Sequence, residues 1–291
     1  MRSPSESFLL FRVLSVDWPN EDNMRPLIAG NWKMNGLAPQ LREVEAVAVA
    51  VAASSPVADI LLCLPATLIA RGAQTAAGRI AIGGENCHPD AAGAFTGDIS
   101  AEMLSDAGAS AVIVGHSERR QQHGETNALV AAKGTAARRA GLLAVVCIGE
   151  TDTQRRQGKA LTVCAGQISG SVPEGMTAAE FAIGYEPLWA IGTAKTPTLE
   201  EISLMHAHIR ACLTTRLGAE GGQVRILYGG SVKPGNAREI LALPDVGGVL
   251  VGGASLKAVD FTAIFMAVPK AARPVEADRD HDSGSCDPIA T

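Results

Sequence analysis

Residues that can move protons lie at the ends of several short apolar runs in this sequence. Glu186 ends the run FAIGYE, and His116 ends the run AVIVGH. A carboxylate at the end of an apolar run is costly to bury without a partner or a function. Glu186 is therefore either a desolvated base directed at a C–H bond or an ion-pair partner of Lys33 or Arg119.

His116 directly precedes Ser117, whose hydroxyl can cap the N-terminus of a helix. A helix N-terminus disfavours imidazolium, so we expect His116 to be neutral and to donate a hydrogen bond to a carbonyl oxygen. A buried histidine that is satisfied by local backbone would have the same spacing. The spacing by itself does not choose between these two interpretations.

Glycine-rich turns follow two further apolar runs. Gly229 and Gly230 precede Ser231, and Gly252 is followed by Gly253. The backbone N–H groups of such turns can bind a phosphoryl dianion, particularly when a short helix begins behind them. Either turn alone could simply close a tight loop. Two such turns after the last two strands of a barrel favour a phosphate site.

Lys33 follows the run LIAGNW, and Asn31 lies two residues before it. In an extended segment these two side chains would point to the same face. Lys33 would then neutralise both the phosphate and developing negative charge. The alternative is a solvated surface lysine.

The apolar runs predict the elements that position these residues. Segments with helical periodicity separate the runs, for example residues 41–51, 127–140, 199–216 and 260–268. Nearly continuous apolar runs that alternate with helices predict parallel strands covered on both faces, here a single-domain (β/α)₈ barrel. An open doubly wound sheet is the competing fold, although no G-x-G-x-x-G follows the first run. The eight runs are LIAGNW, DILLCL, IAIGGE, AVIVGH, LLAVVCIGE, FAIGYE, VRILYG and GVLVGG.

The two ends of the chain differ from the repeating part. Residues 1–23 contain a short apolar stretch without a cleavage pattern, and we expect a loosely ordered extension. Residues 24–270 would form the barrel domain. Residues 271–291 are rich in Pro, Asp, Ser and Gly, which is typical of a disordered tail.

Composition limits the partners of the chain. The net charge of −5 argues against a general nucleic-acid or anionic-lipid surface, so any phosphate site must be local. No apolar run reaches the roughly 18 residues that span a bilayer. The six cysteines form no C-x-x-C pair, and the six histidines show no ligand pattern with carboxylates. We therefore expect a cytoplasmic protein that needs no metal or cofactor.

Seven strings, taken in order and with their spacing, resemble the triosephosphate isomerase family over residues 24–270. The resemblance implies that Glu186 removes the α-proton of dihydroxyacetone phosphate and returns it to the neighbouring carbon, which yields glyceraldehyde 3-phosphate in glycolysis and gluconeogenesis. His116 and Lys33 would stabilise the enediolate, with Asn31 as a further donor and Glu118 as the partner of Lys33. The strings are NWKMNG (31–36), GAFTGDIS (93–100), VGHSERR (114–120), CIGE (147–150), YEPLWAIGT (185–193), YGGS (228–231) and LVGGASL (250–256).

The same resemblance implies a mobile lid and a second subunit. The lid would be residues 187–196, in which Gly192 offers its N–H to the phosphate. The stretch 93–100 would reach into the other subunit of a homodimer, where Thr96 would brace Asn31 and Lys33. Ser231, Gly252 and Gly253 would bind the phosphate of a small phosphorylated sugar.

Two positions depart from the family pattern. Ala194 replaces a common glycine in the lid, and its methyl group would cost roughly 1 kcal/mol if φ must be positive. Glu85 replaces a usual glutamine, and we expect it to add a negative charge near the dimer loop. Two other functions remain open: isomerisation of a four-carbon ketose phosphate such as erythrulose phosphate, and a catalytically silent barrel that only binds phosphate or a partner.

Overall fold

The computed structural model describes residues 25–191 and 195–269, which form a closed barrel of eight parallel strands in chain order. The last strand pairs with the first, with Leu27 opposite Gly248 and Gly30 opposite Val251. This closure confirms the predicted (β/α)₈ barrel and excludes the open sheet. The strands are β1 (Leu27–Asn31), β2 (Asp59–Cys63), β3 (Ala81–Gly84), β4 (Ala111–Val114), β5 (Leu143–Ile148), β6 (Phe181–Tyr185), β7 (Arg225–Tyr228) and β8 (Gly248–Val251).

Helices follow the strands and cover the outside of the barrel. The four predicted helical segments are confirmed as helices, with ends that move by up to three residues. The helices of the described residues are α1 (Leu41–Ser54), α2 (Ala66–Ala76), α3 (Ala101–Asp106), α4 (Ser117–Gln122), α5 (Asn127–Arg139), α6 (Asp152–Arg156), α7 (Ala160–Ser171), α8 (Leu199–Leu217), α9 (Ala219–Gln223), α10 (Ala237–Leu241) and α11 (Ala258–Met266).

Two hydrophobic cores explain why the strands are apolar on both faces. Leu27 and Ala29 belong to the core inside the barrel, which also contains Leu61 and Ile113. Ile28, between the first two, belongs to the larger core between strands and helices. Because alternate residues of a strand face opposite sides, each side chain is buried in one core or the other. The barrel interior is therefore filled, and a ligand has room only at its ends.

A capping box begins the long helix after the predicted lid. The Thr198 hydroxyl accepts a hydrogen bond from the Glu201 backbone at 3.1 Å, and the Glu201 carboxylate accepts one from the Thr198 backbone at 2.8 Å. Such a reciprocal pair satisfies two otherwise free backbone N–H groups. It therefore fixes where α8 begins in the sequence.

Residues 1–24, 192–194 and 270–291 lie outside the described residues, so the predicted N-terminal extension, the C-terminal tail and Gly192 and Ala194 of the predicted lid are not covered. Within the described part of the chain, no helix is long and apolar enough to cross a membrane.

Candidate active site

A cavity of about 550 Å³ opens at the carboxyl ends of the strands. It is lined by the predicted residues Asn31, Lys33, His116, Glu118, Glu186, Ser231, Gly252 and Gly253. The structure therefore brings together residues that are up to 222 positions apart in the sequence. Thr96 does not line this cavity but lies exposed on the loop after β3. Gly192 lies outside the described residues.

Glu186 follows β6 directly and is 2% exposed. Its carboxylate accepts three hydrogen bonds: from His116 Nε2 at 2.9 Å, from the Ser117 backbone at 2.9 Å and from the Ser117 hydroxyl at 3.1 Å. Burial opposes the charge, but His116 and Ser117 outweigh burial and lower the pKa of Glu186. The side chain is therefore a carboxylate that can accept a proton.

His116 is itself the N-cap of α4, so the expectation that Ser117 caps this helix is wrong. The imidazole Nδ1 accepts a hydrogen bond from the Glu118 backbone at 3.3 Å, while Ser117 is the first helical residue and binds Glu186. An imidazolium has no acceptor nitrogen, so the contact at Nδ1 selects a neutral ring with its proton on Nε2.

The environment of His116 differs from the expected effect of a helix N-terminus. Burial disfavours a charged imidazole, but the Glu186 carboxylate outweighs burial and raises the pKa of His116. The neutral ring satisfies both contacts, because Nε2–H donates to Glu186 and Nδ1 accepts from Glu118. A ligand that displaced the Glu186 carboxylate would remove the interaction that raises the pKa of His116.

Lys33 lies beyond the end of β1 in a left-handed conformation with φ of +55°. The expectation that an extended segment directs Asn31 and Lys33 to one face is therefore wrong, although both side chains line the cavity. The Asn31 side-chain oxygen accepts a hydrogen bond from the Lys33 backbone at 3.0 Å, which holds the turn. A left-handed non-glycine residue costs about 1–2 kcal/mol, and such strain is common at functional sites.

The Lys33 side chain extends from Glu118 to the glycine turn after β8. Its ammonium lies 2.5 Å from Glu118 Oε1. A Cβ atom built on Gly252 would lie 3.7 Å from Lys33 Cε, so the lysine stem passes over this turn. A 3₁₀ helix, Gly253–Leu256, begins directly behind Gly252. A cation and the start of a short helix therefore meet at the place where a phosphate is predicted.

The loop after β7 forms the adjoining wall. The Gly229 backbone donates to the Tyr185 carbonyl at 2.7 Å, which fixes this loop against the end of β6. A Cβ atom on Gly230 would lie 2.2 Å from the Tyr228 hydroxyl, so only glycine fits there. Ser231 and Lys233 continue the lining. Lys233 is a second cation at the mouth, and the glycine pair did not predict it because it lies three residues beyond Gly230.

Glu85 lies just after β3 and does not behave as expected from its charge. Burial raises the pKa of Glu85 to about 8, so the carboxyl is mostly protonated at neutral pH. The expectation of an added negative charge is therefore wrong under these conditions.

Clusters of three or more histidine, cysteine or acidic side chains that could hold a metal ion do not occur within residues 25–191 and 195–269. The cavity instead combines a carboxylate, an imidazole, a lysine and two glycine turns. Together with the closed barrel, this site defines a (β/α)₈-barrel enzyme with its catalytic groups at the carboxyl ends of the strands.

Comparison with known proteins agrees with this class. The family model described as triosephosphate isomerase matches residues 26–268. A triosephosphate isomerase of Bradyrhizobium diazoefficiens is 55% identical over 249 residues, which cover 85% of this chain and 99% of the relative. One from Afipia carboxidovorans is 58% identical over 247 residues, covering 84% and 98% respectively.

A solved structure supports the same assignment. The crystal structure of triosephosphate isomerase from Bartonella henselae aligns with a TM-score of 0.79 at 48% identity, covering 84% of this chain and 98% of that chain. The chain belongs to the triosephosphate isomerase family.

Proposed function

We propose that this protein interconverts dihydroxyacetone phosphate and D-glyceraldehyde 3-phosphate. The observation that carries the proposal is the pairing of an ionised, buried Glu186 with His116 Nε2 at 2.9 Å, at a cavity that also presents Lys33 and two glycine turns. A base, a neutral donor and a phosphate-binding loop are the groups that proton transfer next to a carbonyl requires. The family membership supports the same reaction.

In the proposed mechanism Glu186 removes a proton from the hydroxymethyl carbon of dihydroxyacetone phosphate. The electron pair of the broken C–H bond forms the enediolate, whose oxygen accepts hydrogen bonds from His116 Nε2–H and from Lys33. The hydroxyl proton on the oxygen of the first carbon then passes to the neighbouring oxygen, so that the first carbon becomes the aldehyde, and Glu186 returns its proton to the neighbouring carbon. A glutamate base beside a neutral histidine at a helix N-terminus is the established pattern of the triosephosphate isomerase family, so these roles follow from family membership and not from the geometry alone.

The bonds to Ser117 imply a step before chemistry. Two of the three hydrogen bonds of Glu186 come from Ser117 at the start of α4. The carboxylate must leave these donors to reach a substrate carbon. The Glu186 carboxylate would then no longer raise the pKa of His116, which would favour the neutral imidazole that the reaction needs.

The phosphate would bind at the glycine turns. Gly252 and Gly253 offer backbone N–H groups at the start of the 3₁₀ helix, Ser231 forms the adjoining wall, and Lys33 supplies a positive charge. Gly192 in the predicted lid would add another N–H when the lid closes. Asn31 would donate to the substrate oxygen, and Glu118 would orient the Lys33 ammonium.

A homodimer is part of the proposal. The loop 93–100 is exposed except at its last residue, and it presents Phe95, which is 41% exposed and stacks on His88 with ring centroids 4.0 Å apart. Met34, beside Lys33, is 97% exposed. Exposed apolar side chains such as these support an interface with another subunit. Thr96 of one subunit would then brace Asn31 and Lys33 of the other, in a cytoplasmic dimer.

The test is a coupled isomerase assay on the purified chain with glyceraldehyde 3-phosphate. We expect the Glu186→Asp variant to lose orders of magnitude in kcat while still binding the unreactive analogue glycerol 3-phosphate. The Glu174→Gln variant, which changes an exposed glutamate, is the matched control. Full turnover by Glu186→Asp would remove Glu186 from the role of base.

The same assay tests the two other functions. The comparisons name triosephosphate isomerases and give no support to a four-carbon substrate. A larger kcat/KM for erythrulose phosphate than for glyceraldehyde 3-phosphate would nevertheless favour that substrate. Binding of glycerol 3-phosphate without turnover of either sugar would indicate a silent barrel.

A further inference from the structure

Lys233 is a cation of the active-site cavity to which the mechanism above gives no role. It lines the cavity two residues beyond Ser231, in the loop after β7, and its side chain is exposed. Lys33, the other lysine of the cavity, is bound to Glu118 at 2.5 Å. Lys233 forms no ion pair with any residue of the ranges 25–191 and 195–269. Its charge is therefore not shared with an acid of the described chain.

Hydrogen bonds hold the backbone of Lys233 in place. Its N–H donates to Asn236 Oδ1 at 2.8 Å, and its carbonyl accepts from the Asn236 and Ala237 backbones, both at 3.1 Å. The Asn236 side chain also donates to the Ser231 carbonyl at 2.9 Å, which joins the loop to the predicted phosphate site. The backbone is thus fixed at the cavity, while a flexible four-carbon stem lets the ammonium follow an anion.

The charges around the cavity make this lysine necessary for a dianionic ligand. The neutral His116 adds no charge, and the two lysines only balance the two glutamates. Without Lys233 the cavity would carry one net negative charge, in a chain of net charge −5 that already repels anions. Among the described residues, the ionisable groups that line the cavity are Lys33, His116, Glu118, Glu186 and Lys233.

We propose that Lys233 is a substrate-binding cation that draws the phosphate dianion into the cavity and so favours a phosphorylated sugar over a neutral one. The inference rests on the proposed function for the identity of that dianion. Attraction between an exposed cation and a dianion acts over several ångströms and does not need direct contact. Because the phosphate keeps its charge throughout the reaction, Lys233 stabilises bound substrate and transition state alike, which affects KM rather than kcat.

The test follows the isomerase reaction of glyceraldehyde 3-phosphate at two ionic strengths. The Lys233→Gln variant should lower kcat/KM about three- to tenfold at about 0.01 M ionic strength, where the Debye length is about 30 Å. At about 0.5 M, where this length is about 4 Å, the loss should be less than about twofold. The loss should lie in KM, with kcat within about twofold of wild type.

Matched variants separate the charge of Lys233 from its place in the fold. Lys159→Gln removes the same charge from an exposed position that does not line the cavity, and it should behave as wild type. Lys233→Arg should restore activity, and Lys233→Glu should lower kcat/KM further than Lys233→Gln at low ionic strength. Unphosphorylated glyceraldehyde, followed by nuclear magnetic resonance, should react equally well with wild type and Lys233→Gln.

Four results would overturn the proposal: equal losses in Lys233→Gln and Lys159→Gln, a loss that persists at high ionic strength, an equal loss with glyceraldehyde, or a wild-type kcat/KM that does not fall with added salt. The last result needs no variant, so it decides even if Lys233→Gln fails to fold.

Failure of the proposed function would look different and is measured by calorimetry with glycerol 3-phosphate. In that case the wild-type chain would bind this analogue more tightly than Lys233→Gln does, with the expected dependence on salt, but would not turn over triose phosphate. Failure of the inference alone would leave wild-type turnover intact and the Kd of the analogue unchanged in Lys233→Gln.

Discussion

Two acids that follow strands of the barrel, one fully buried and one half-buried, have opposite charge states at neutral pH. Glu186, after β6, accepts hydrogen bonds from His116 and from two donors of Ser117, and its pKa is lowered. Glu85, after β3, has one oxygen without a partner among the described residues, and its pKa is raised to about 8. Burial opposes charge on both acids. The number of donors around each carboxyl, rather than the depth of burial, therefore decides its protonation.

Removing a donor from Glu186 should make it more like Glu85, and the largest effect is expected from His116→Gln. This variant loses the ring that donates at 2.9 Å and that would bind the substrate oxygen. Loss of such a donor lowers kcat by about 100- to 1000-fold in other enzymes. The measurement is kcat in the coupled assay, with circular dichroism to confirm the fold. A loss smaller than tenfold would remove His116 from the electrophile role.

The same balance between burial and partners applies to a histidine, His206, which is fully buried in α8. Its Nδ1 lies 3.1 Å from the Asp245 carbonyl, its Nε2 has no partner among the described residues, and burial lowers its pKa to about 4. The unfolded chain binds this proton near pH 6.5, so stability is full above that pH and falls as the pH drops towards 4. The loss is at most about 3 kcal/mol.

Urea unfolding at pH 7 and pH 4.5 tests this expectation. The His206→Asn variant should be less stable than wild type at pH 7, but it should lose less stability on acidification. An equal loss of stability between pH 7 and pH 4.5 in both proteins would show that other groups cause it.

Glu85 should make the stability of the fold depend on pH in the opposite direction to His206. Its folded pKa lies above the ordinary value of 4.5, so its contribution to stability is full below pH 4.5 and is lost as the pH rises through about 8. Glu85→Gln should therefore gain about 2 kcal/mol relative to wild type at pH 8.5, after allowance for solvent screening, and much less at pH 5. Thermal unfolding at both values measures the gain. A gain that does not depend on pH would contradict a neutral Glu85.

The smallest effect is expected from Ser117→Ala. It removes the hydroxyl donor at 3.1 Å but leaves the backbone donor at 2.9 Å and His116. The pKa of Glu186 should rise because one stabilising bond is lost, and kcat/KM should change by less than about tenfold. A carbon-13 titration of labelled glutamate measures the first effect, and Ser117→Thr, which keeps a hydroxyl, is the control. An unchanged titration would show that the hydroxyl does not hold the carboxylate.

Most of the cavity could be predicted from the sequence because the positions of its residues follow from the barrel pattern. Apolar runs separated by helical segments indicate where strands end, and Glu186, His116 and Gly252 all follow such ends. Local rules applied alone were wrong at two positions. Strand alternation does not describe Lys33, which is left-handed, and proximity to a helix did not show that His116 and not Ser117 is the cap.

The barrel, the family and the types of residue at its mouth could all be predicted from the order of residues, because each depends on patterns along the chain. Only the tertiary structure decided the charge of Glu85 and the three bonds of Glu186. Those properties depend on which donors meet each carboxyl: His116 and Ser117, at the start of α4, meet Glu186 after β6, whereas the Lys33 backbone, after β1, meets Glu85 after β3. A list of residues contains the acids but not their neighbours, and the neighbours determine which acid is ionised.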